Sequence, residues 1–298
     1  MPTPQLPVTR LSPHVHQISV PTSTLPPAVA TNTYVICKDG EGVLVDAGTS
    51  EEASLEALRS ILADLGVRRV VALIATHHHR DHTAGLPALH RTLDANVLMH
   101  PLDQARLSWS PEDRAALAPP PPALHVAGVT LFIRHHPGHT PGHVHVEIPD
   151  EGVILVGDHL AGEGSVWIGP PDGHMASYYR ALDAIADSPC RIAGPGHGPA
   201  LMDAAAAARA LKARRQGRER EILAHLARRP GTVEDLARAL YEGTIPEGAR
   251  TAAVRTVEGH LQHLVELGQV ERIDSDNATV YRLVTGPVHP QGPAPTGS

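Results

Sequence analysis

Four short apolar runs in this chain each end in glycine, aspartate or histidine, and they constrain its fold more than any other feature. The runs occupy residues 42–48, 70–76, 129–135 and 152–158. Apolar runs of this length with polar ends are typical of buried strands. Between the first two runs, residues 51–66 carry leucine and isoleucine at helical spacing and end in Gly66, which favours a helix. The first two-thirds of the chain therefore predict an α/β (α+β) fold.

The last third of the chain changes to helices followed by a hairpin. Residues 203–229 and 249–268 predict two helices, with a shorter helix capped by Thr232 between them. Residues 269–284 alternate as two strands around a polar turn. Three helices and a hairpin are the plan of a winged helix. We predict a catalytic domain over residues 1–203, a helical, winged-helix domain over 204–285 and a disordered tail over 286–298.

The overall composition excludes several classes of protein. The chain has 298 residues and a formal net charge of −7, which argues against a polycation that coats nucleic acid. Its two cysteines, Cys37 and Cys190, form no CxxC motif or disulfide framework, so a reducing compartment is expected. We see neither a signal peptide nor the roughly 20 apolar residues of a membrane helix. We therefore expect a soluble, cytoplasmic protein without a membrane partner.

One loop concentrates the candidate chemistry. The stretch ATHHHRDHTAGL, residues 75–86, places four histidines and an aspartate within six consecutive positions. Side chains two residues apart in an extended segment share a face. His77 and His79 are therefore expected to point together, whereas His78 points away and is not expected to bind a metal.

The second half of the same loop offers another pair of ligands. A helix is expected to begin near Thr83, and the turn into it would bring Asp81 and His82 to the neighbouring side. Neutral imidazole and carboxylate are ligands that zinc takes at catalytic sites. The loop thus carries enough ligands to begin two adjacent metal sites.

Further ligands of the same types occur downstream, where other strands are predicted to end. His139 lies in HHPGHTPGH, Asp158 follows the apolar run ILVG, and His197 lies in the glycine- and proline-rich turn PGHGP. A carboxylate such as Asp158 can bridge two cations. Four separate pieces in this order are much harder to obtain by chance than one histidine cluster.

Together these motifs resemble the complete ligand set of the metallo-beta-lactamase superfamily. The resemblance implies an αββα sandwich with the site at one edge of its two sheets. It implies that one metal is held by His77, His79 and His139. It implies that the other metal is held by Asp81, His82 and His197, with Asp158 as the bridge. The segment GSVWIGPPDGHMASYYRALDAI and the C-terminal helices and hairpin are similar to the lactamase-beta-like protein two branch.

Two further residues are expected to support the ligands without binding metal. Asp46, in LVDAG, matches a family position that buttresses the ligand loop. His143 is expected to support a metal-ligating residue or to be structural, because His139 already occupies the position of the metal ligand in the family motif. His159 either lines the pocket or packs, and the sequence does not decide between these. His135 and His136 are expected to be surface or packing residues at a strand end.

Such a site is expected to act as a binuclear metal centre. Two Zn²⁺ ions would share a water and lower its pKa from about 15.7 toward about 7. Mn²⁺ or Fe are alternatives, since carboxylates also suit harder ions. Asp81 and Asp158 are the residues to which we assign catalytic roles, as ligands that hold this arrangement.

The C-terminal region leaves a nucleic-acid role open. One predicted helix carries a row of basic residues, namely Arg209, Lys212, Arg214, Arg215, Arg218 and Arg220. These residues are either a solvated face with ion pairs or a ridge that grips a phosphate backbone. The third helix balances Arg250 and Arg255 against Glu258 and Glu266, so duplex DNA is not an expected partner.

The function that this resemblance implies is hydrolysis of an ester-like bond by a hydroxide between two metals. The branch includes thioesterases that act on carrier-bound acyl chains and single-strand RNA endonucleases, so a small ester or thioester and single-stranded RNA both stay open as substrates. A hydroxyacylglutathione hydrolase-like thioesterase is an alternative, although the winged helix replaces that enzyme's C-terminal helices. A true β-lactamase is not expected without an export signal.

Two alternatives belong to other classes of function. The first is a nucleic-acid-binding regulator with a structural metal, but structural zinc sites are usually closed and cysteine-rich. The second is oxidation at a mononuclear iron, which the full second ligand set argues against. The sequence leaves the substrate, the native metal and the oligomeric state open.

Overall fold

The structure, a computed structural model, describes residues 4–24, 27–243, 245, 250–275 and 278–284. The chain divides into two units. The first comprises the described parts of Met1–Val166 and Asp172–Lys212, and the second those of Trp167–Pro171 and Ala213–Ser298. The tail predicted over residues 286–298 lies outside the described residues.

The first unit contains two sheets, and in the larger one the strands follow one another in chain order. Its strands are β1 Val8–Arg10, β2 Val15–Pro21, β3 Ala30–Lys38, β4 Glu41–Val45, β5 Arg69–Ile74, β6 Val97–Leu98 and β7 Leu117–Ala118. The pairs from β1 to β4 are antiparallel and those from β4 to β7 are parallel. Parallel neighbours need crossover connections, which explains why helices interrupt the second half of this sheet.

The smaller sheet has the order β12-β11-β10-β9-β8. Its strands are β8 Ala123–Val126, β9 Val129–His135, β10 Val144–Ile148, β11 Val153–Gly157 and β12 Ile192–Pro195. A 3₁₀ turn at Pro149–Glu151 joins β10 to β11. Only the pair β11–β12 is parallel among the pairs described for this sheet.

Helices cover these sheets. They are α1 Glu52–Asp64, α2 Arg80–Thr83, α3 Leu86–Leu93, α4 Pro101–Gln104, α5 Pro111–Arg114, α6 Met175–Asp187 and the first part of α7 Ala204–Leu226. Leu73 of β5 packs in one apolar core with Leu58 of α1 and Leu89 of α3. Its neighbour Ile74 faces the other way and packs with Leu155 in a core between the two sheets. Because successive strand residues alternate between faces, one strand supplies both cores, and the αββα arrangement follows.

The strand ends position the candidate site. Val45 of β4 lies opposite Ile74 of β5, and Gly157 of β11 lies opposite Pro195 of β12. Both pairs are parallel, so within each pair the chain leaves the same edge of its sheet. The segments that follow these four strand ends carry most of the predicted ligands.

The helix expected near Thr83 begins earlier than the sequence indicated. Helix α2 starts at Arg80 and ends at Thr83, whose hydroxyl donates to the carbonyl of His79 at 3.0 Å. A second helix, α3, then starts at Leu86, with Pro87 in its first turn. Proline suits that position because the first helical N–H groups have no partner within the helix.

The second unit has the helices and hairpin of a winged helix. Its elements are the end of α7, α8 Val233–Tyr241, α9 Arg250–Glu266, β13 Val270–Asp274 and β14 Thr279–Leu283. The predicted cap at Thr232 is confirmed, since the side chains of Thr232 and Asp235 each accept from the other's backbone N–H. Leu236, Leu261 and Tyr281 share the apolar core of this unit. Among the helices of the described residues, none has the length and apolarity that crossing a membrane requires.

Candidate metal centre

Three imidazole nitrogens from two loops meet at the edge of the sheets. The Nδ1 atom of His79 lies 3.1 Å from Nε2 of His77 and 2.9 Å from Nε2 of His139. His77 and His79 follow β5, and His139 lies between β9 and β10. Zinc binds imidazole nitrogen at about 2.0–2.1 Å, so three nitrogens about 3 Å apart have the right size for one cation.

Hydrogen bonds on the far side of two of these rings orient their lone pairs inward. The hydroxyl of Thr76 donates to Asp46 at 2.7 Å and therefore accepts from Nδ1–H of His77 at 3.0 Å, which leaves Nε2 of His77 as an acceptor. The Nε2 atom of His79 faces Oδ2 of Asp172 at 3.4 Å, which leaves its Nδ1 as an acceptor. These tautomers are assigned from the hydrogen-bond network.

A second group of ligand atoms is formed by Asp81, His82 and His197. The Nδ1 atom of His82 donates to Asp46 at 2.7 Å, and that of His197 donates to the carbonyl of Ala30 at 2.8 Å. Both Nε2 atoms are therefore acceptors. The Nε2 atom of His197 lies 3.6 Å from Oδ2 of Asp81. The hydroxyl of Thr24, between β2 and β3, donates to the same carboxylate oxygen at 2.6 Å and fixes it.

Asp158 lies between the two groups. Its Oδ1 atom is 3.4 Å from Nε2 of His82 and 3.5 Å from Nε2 of His197, whereas its Oδ2 atom is 3.6 Å from Nε2 of His139. Space for this carboxylate depends on Gly196, since a Cβ there would lie 2.2 Å from Oδ1 of Asp158. Gly196, the first glycine of PGHG, is therefore required because the backbone passes so close to the carboxylate.

The protein atoms alone leave this arrangement incomplete. Nε2 of His82 and Oδ1 of Asp158 are both buried, and neither has a hydrogen-bond partner among the described residues. Both are acceptors and they face each other, so a positive species between them satisfies both. The donor set, five imidazoles and two carboxylates, is of the type that holds divalent cations, and the residues therefore fit metal ions.

The protonation states of His77 and Asp158 are those of metal ligands. Burial and the neighbouring imidazoles hold the pKa of His77 well below its usual range, so the ring is neutral. Burial alone would raise the pKa of Asp158, but the imidazoles of His82 and His197 outweigh it and hold the pKa well below the usual range. Neutral imidazole and ionised carboxylate are the forms that ligate metals. Burial lowers the pKa of His82 and His197, but the carboxylate of Asp158, with Asp46 beside His82, outweighs burial and raises both pKa values. A cation bound there must therefore displace a proton.

A buried carboxylate, Asp103, joins the two ligand loops. It accepts from the backbone N–H of His78 at 2.9 Å, from the hydroxyl of Thr140 at 2.7 Å and from the backbone N–H of Gly142 at 2.6 Å. Its first partner belongs to the loop of His77 and His79, and the other two belong to the loop of His139. Asp103 therefore fixes these loops relative to each other.

His78 lies outside the ligand groups around His139 and Asp158 and contacts two carboxylates, and with His79 and Asp172 it forms a further group whose atoms are close enough to hold a cation. Its Nδ1 lies 3.2 Å from Asp103, and its Nε2 lies 3.6 Å from Asp172. Burial lowers the pKa of His78, but these two carboxylates outweigh burial and raise it to about 9. Asp172 also pairs with Arg106.

A second cluster of buried imidazoles supports the ligand backbones. His159 Nε2 accepts from the backbone N–H of His139, and His143 Nε2 accepts from that of Asp158, each at 3.3 Å. The Nδ1–H of His159 then donates to Nε2 of His145 at 2.6 Å. Burial holds the pKa of all three rings in the cluster, His143, His145 and His159, well below the usual range. Four of their six ring nitrogens bond within the protein, so this cluster orders two ligand-bearing segments, whereas the Nδ1 atoms of His143 and His145 are buried without a hydrogen-bond partner among the described residues.

All seven predicted ligands thus lie in one cluster, with Asp46 and His143 bonded to members of it. His135 donates to the carbonyl of Pro141 and stacks on His100, consistent with packing at a strand end. Sequence reasoning missed the roles of Asp103 and Asp172. Asp172 lies in the GPPDGH segment that resembles the family branch, whereas the sequence around Asp103 gives no signal.

Comparison with known proteins agrees with this geometry. Residues 26–197 match the family described as Metallo-beta-lactamase superfamily, and residues 232–279 match the Beta-lactamase associated winged helix domain. A relative from Claviceps purpurea (strain 20.1), named atrochrysone carboxyl ACP thioesterase, is 30% identical over 75% of this chain and 71% of its own. A protein of the same name from Aspergillus chevalieri is 27% identical over 75% of this chain and 71% of its own.

Solved structures show the same fold. A metallo-beta-lactamase family protein from Thermus thermophilus has a TM-score of 0.73 and 28% identity, covering 92% of this chain and 100% of that one. A beta-lactamase domain protein from Burkholderia ambifaria has a TM-score of 0.78 at 19% identity, over 95% of both chains. The protein is a metallohydrolase of the metallo-beta-lactamase fold. The chain belongs to the metallo-beta-lactamase superfamily and carries its associated winged helix domain.

Proposed function

We propose that this protein is a thioesterase that hydrolyses a carrier-bound acyl thioester with two divalent cations, Zn²⁺ by preference. In this proposal one cation is held by His77, His79 and His139. The other is held by Asp81, His82 and His197, and Asp158 bridges the two. The names of the relatives support the thioester substrate, and the site supports the metal requirement.

The observation that carries this proposal is the convergence of acceptors on both sides of Asp158. One carboxylate oxygen faces His82 and His197, and the other faces His139. A carboxylate that serves a single cation has no need of imidazole lone pairs beside both its oxygens. A cation pair supplies a water of lowered pKa and an electrophile that polarises the thioester carbonyl oxygen.

The residues of the chain prepare this chemistry by fixing the ligands. Asp46 accepts from Nδ1–H of His82 and from the hydroxyl of Thr76, and thereby sets the tautomers of two ligand rings, those of His82 and His77. Partners of this kind raise the basicity of ligands and hold them in position. Their burial keeps bulk water from competing for the same atoms.

Thioester hydrolysis suits a site that is built mainly for binding cations. The oxygen of water bonds to the acyl carbon, the C–S bond breaks, and the products are a carboxylate, a thiol and one proton. The leaving thiolate has a thiol pKa near 8.5, so it departs without a general acid. An RNA phosphodiester releases an alkoxide, which is far more basic and requires a proton.

The basic residues of α7 support RNA binding less than their sequence indicates. Lys212 bonds to Asp183, Arg218 pairs with Glu221 and lies over the ring of Tyr241, and Arg209 donates to a backbone carbonyl. Three of the six cations of this row already have protein partners, whereas Arg214 and Arg220 are exposed. We therefore prefer a thioester to single-stranded RNA as the substrate.

We also infer a reducing, cytoplasmic location. Cys37 and Cys190 are both free and buried, and such thiols persist in a reducing compartment.

The test is an assay of the zinc-loaded protein on acyl thioesters and on single-stranded RNA, with and without chelator. We expect thioester hydrolysis that chelator abolishes and Zn²⁺ restores. Asp158→Ala is expected to abolish turnover while circular dichroism stays unchanged. The matched control Asp183→Ala removes an exposed carboxylate and is expected to keep full activity. Cleavage of RNA without thioester hydrolysis, or hydrolysis that is indifferent to chelator, contradicts the proposal.

A further inference from the structure

An open groove of about 560 Å³ borders the candidate metal centre. Its wall includes His79, one of the proposed ligands, and continues past Arg80 to Arg106 and Trp109. The serines Ser50, Ser108 and Ser110 also line it. A substrate held at His79 can therefore extend along this groove toward solvent.

The groove carries a positive charge without a matching protein anion. Arg80 is exposed, and among the described residues its guanidinium has no ion pair. Arg106 pairs with Asp172, which in turn lies 3.4 Å from Nε2 of His79. Asp113, also in the wall, pairs with Arg91. Arg80 is thus the charged group of this wall that is available to a ligand.

The thiol part of the substrate determines what must lie outside the metal centre. Coenzyme A and acyl carrier proteins both present the acyl group on a phosphopantetheine arm, which has a sulfur at one end, two amides in the middle and a phosphate at the other end. With the thioester carbon at the metal centre, the arm must leave through an open channel. Arginine recognises phosphate with two parallel N–H···O bonds, and hydroxyls such as those of Ser50 and Ser108 suit amides.

We propose that this groove binds the phosphopantetheine arm of the thioester and that Arg80 binds its phosphate. The inference rests on the proposed function, since it assigns the leaving-group side of the same site. It makes Arg80 a residue that determines specificity for the carrier, and it gives the residue no part in bond cleavage.

The test compares two thioesters of the same acyl group, one on phosphopantetheine and the other on pantetheine, which lacks only the phosphate. In Arg80→Gln we expect KM for the phosphopantetheine thioester to rise about tenfold with kcat unchanged, and both constants for the pantetheine thioester to stay at wild-type values. Arg80→Lys keeps the charge and is expected to retain part of the discrimination. The control Arg69→Gln alters an exposed arginine outside the groove and is expected to change neither substrate.

An equal effect of Arg80→Gln on both thioesters, or no effect on either, overturns the assignment. The same comparison with a coenzyme A thioester and a carrier-protein thioester shows which source supplies the arm: the natural carrier is the one with the lower KM, and Arg80→Gln must raise that KM.

A binding measurement separates this inference from the proposed function. Calorimetry with free phosphopantetheine is expected to show binding to the wild type that weakens with salt and is lost in Arg80→Gln. If the protein binds phosphopantetheine through Arg80 but hydrolyses no thioester, the proposed function fails and the groove assignment stands. If it hydrolyses thioesters but binds phosphopantetheine equally well with and without Arg80, the groove assignment alone fails.

Discussion

Replacing Asp103 tests whether the ligand loops depend on a residue that binds no metal. In Asp103→Ala three buried donors lose their acceptor, namely the N–H groups of His78 and Gly142 and the hydroxyl of Thr140. Each buried donor without an acceptor costs roughly 1–3 kcal/mol, so for three donors we expect a loss of about 3–9 kcal/mol in the free energy of unfolding. Because all three donors belong to the two ligand loops, we also expect metal affinity to fall about 10–100-fold.

The assay is metal binding by competition with a chromogenic chelator, together with urea unfolding of the metal-free protein. Asp103→Asn keeps one acceptor oxygen for Gly142 but turns an NH₂ group toward the other donors, so its affinity and stability should be intermediate. Asp183→Ala, which removes an exposed carboxylate paired with Lys212, serves as the control and should match the wild type. An Asp103→Ala protein that binds metal as tightly as the wild type refutes the reasoning.

Two other substitutions probe separate parts of the structure. Gly196→Ala places a Cβ 2.2 Å from Oδ1 of Asp158, so turnover of a thioester should fall at least about a hundredfold. The control is Gly217→Ala, which lies within α7 free of close contacts and should stabilise the protein by about 1 kcal/mol. Equal activity in the two variants contradicts the position given to Asp158. In the winged helix unit, burial raises the pKa of Glu219 but hydrogen bonds from His260 and His263 outweigh burial and lower the pKa to about 2 from 4.5. The ionised Glu219 therefore stabilises the fold fully above about pH 4.5, and this stabilisation is lost as the pH falls toward 2. Over that range the free energy of unfolding of Glu219→Gln should fall by about 1–2 kcal/mol less than that of the wild type, as measured by urea titrations. The exposed Glu221→Gln is the control, and identical pH profiles for Glu219→Gln and the wild type contradict the prediction.

The ligand residues could be predicted from sequence because local geometry and strand ends determine where they lie. His77 and His79 share a face because they are two residues apart in an extended segment, and their nitrogens indeed lie 3.1 Å apart. Asp158 follows a buried strand directly, and the parallel pairing of β11 with β12 brings His197 to the same edge. The resemblance to a known family supplied the order of these motifs.

The supporting residues could not be predicted in the same way, because their contacts depend on tertiary packing. Asp103 begins no motif and bonds to His78 and Gly142, which lie 25 and 39 residues away in the chain. Only the packing of the short helix α4 between two loops makes it important. His145 lies within β10 and belongs to none of the sequence motifs, yet its Nε2 accepts from Nδ1–H of His159 in the buried cluster of imidazoles.

The start of α2 shows a smaller difference of the same kind. The sequence predicted a helix that begins near Thr83, but the hydroxyl of Thr83 bonds back to the carbonyl of His79 and closes a short helix at that residue. Pro87 then allows a new helix to begin. The bond from the Thr83 side chain to the backbone and the position of Pro87 determine this boundary.

The central claim, a pair of cations bridged by Asp158, is tested most directly by counting metal ions. Elemental analysis of dialysed, zinc-loaded protein should give two equivalents per chain in the wild type. His197→Ala and His79→Ala, one from each ligand group, should each retain about one equivalent. Saturation of the wild type at one equivalent or fewer, or two equivalents retained in both variants, would contradict the account.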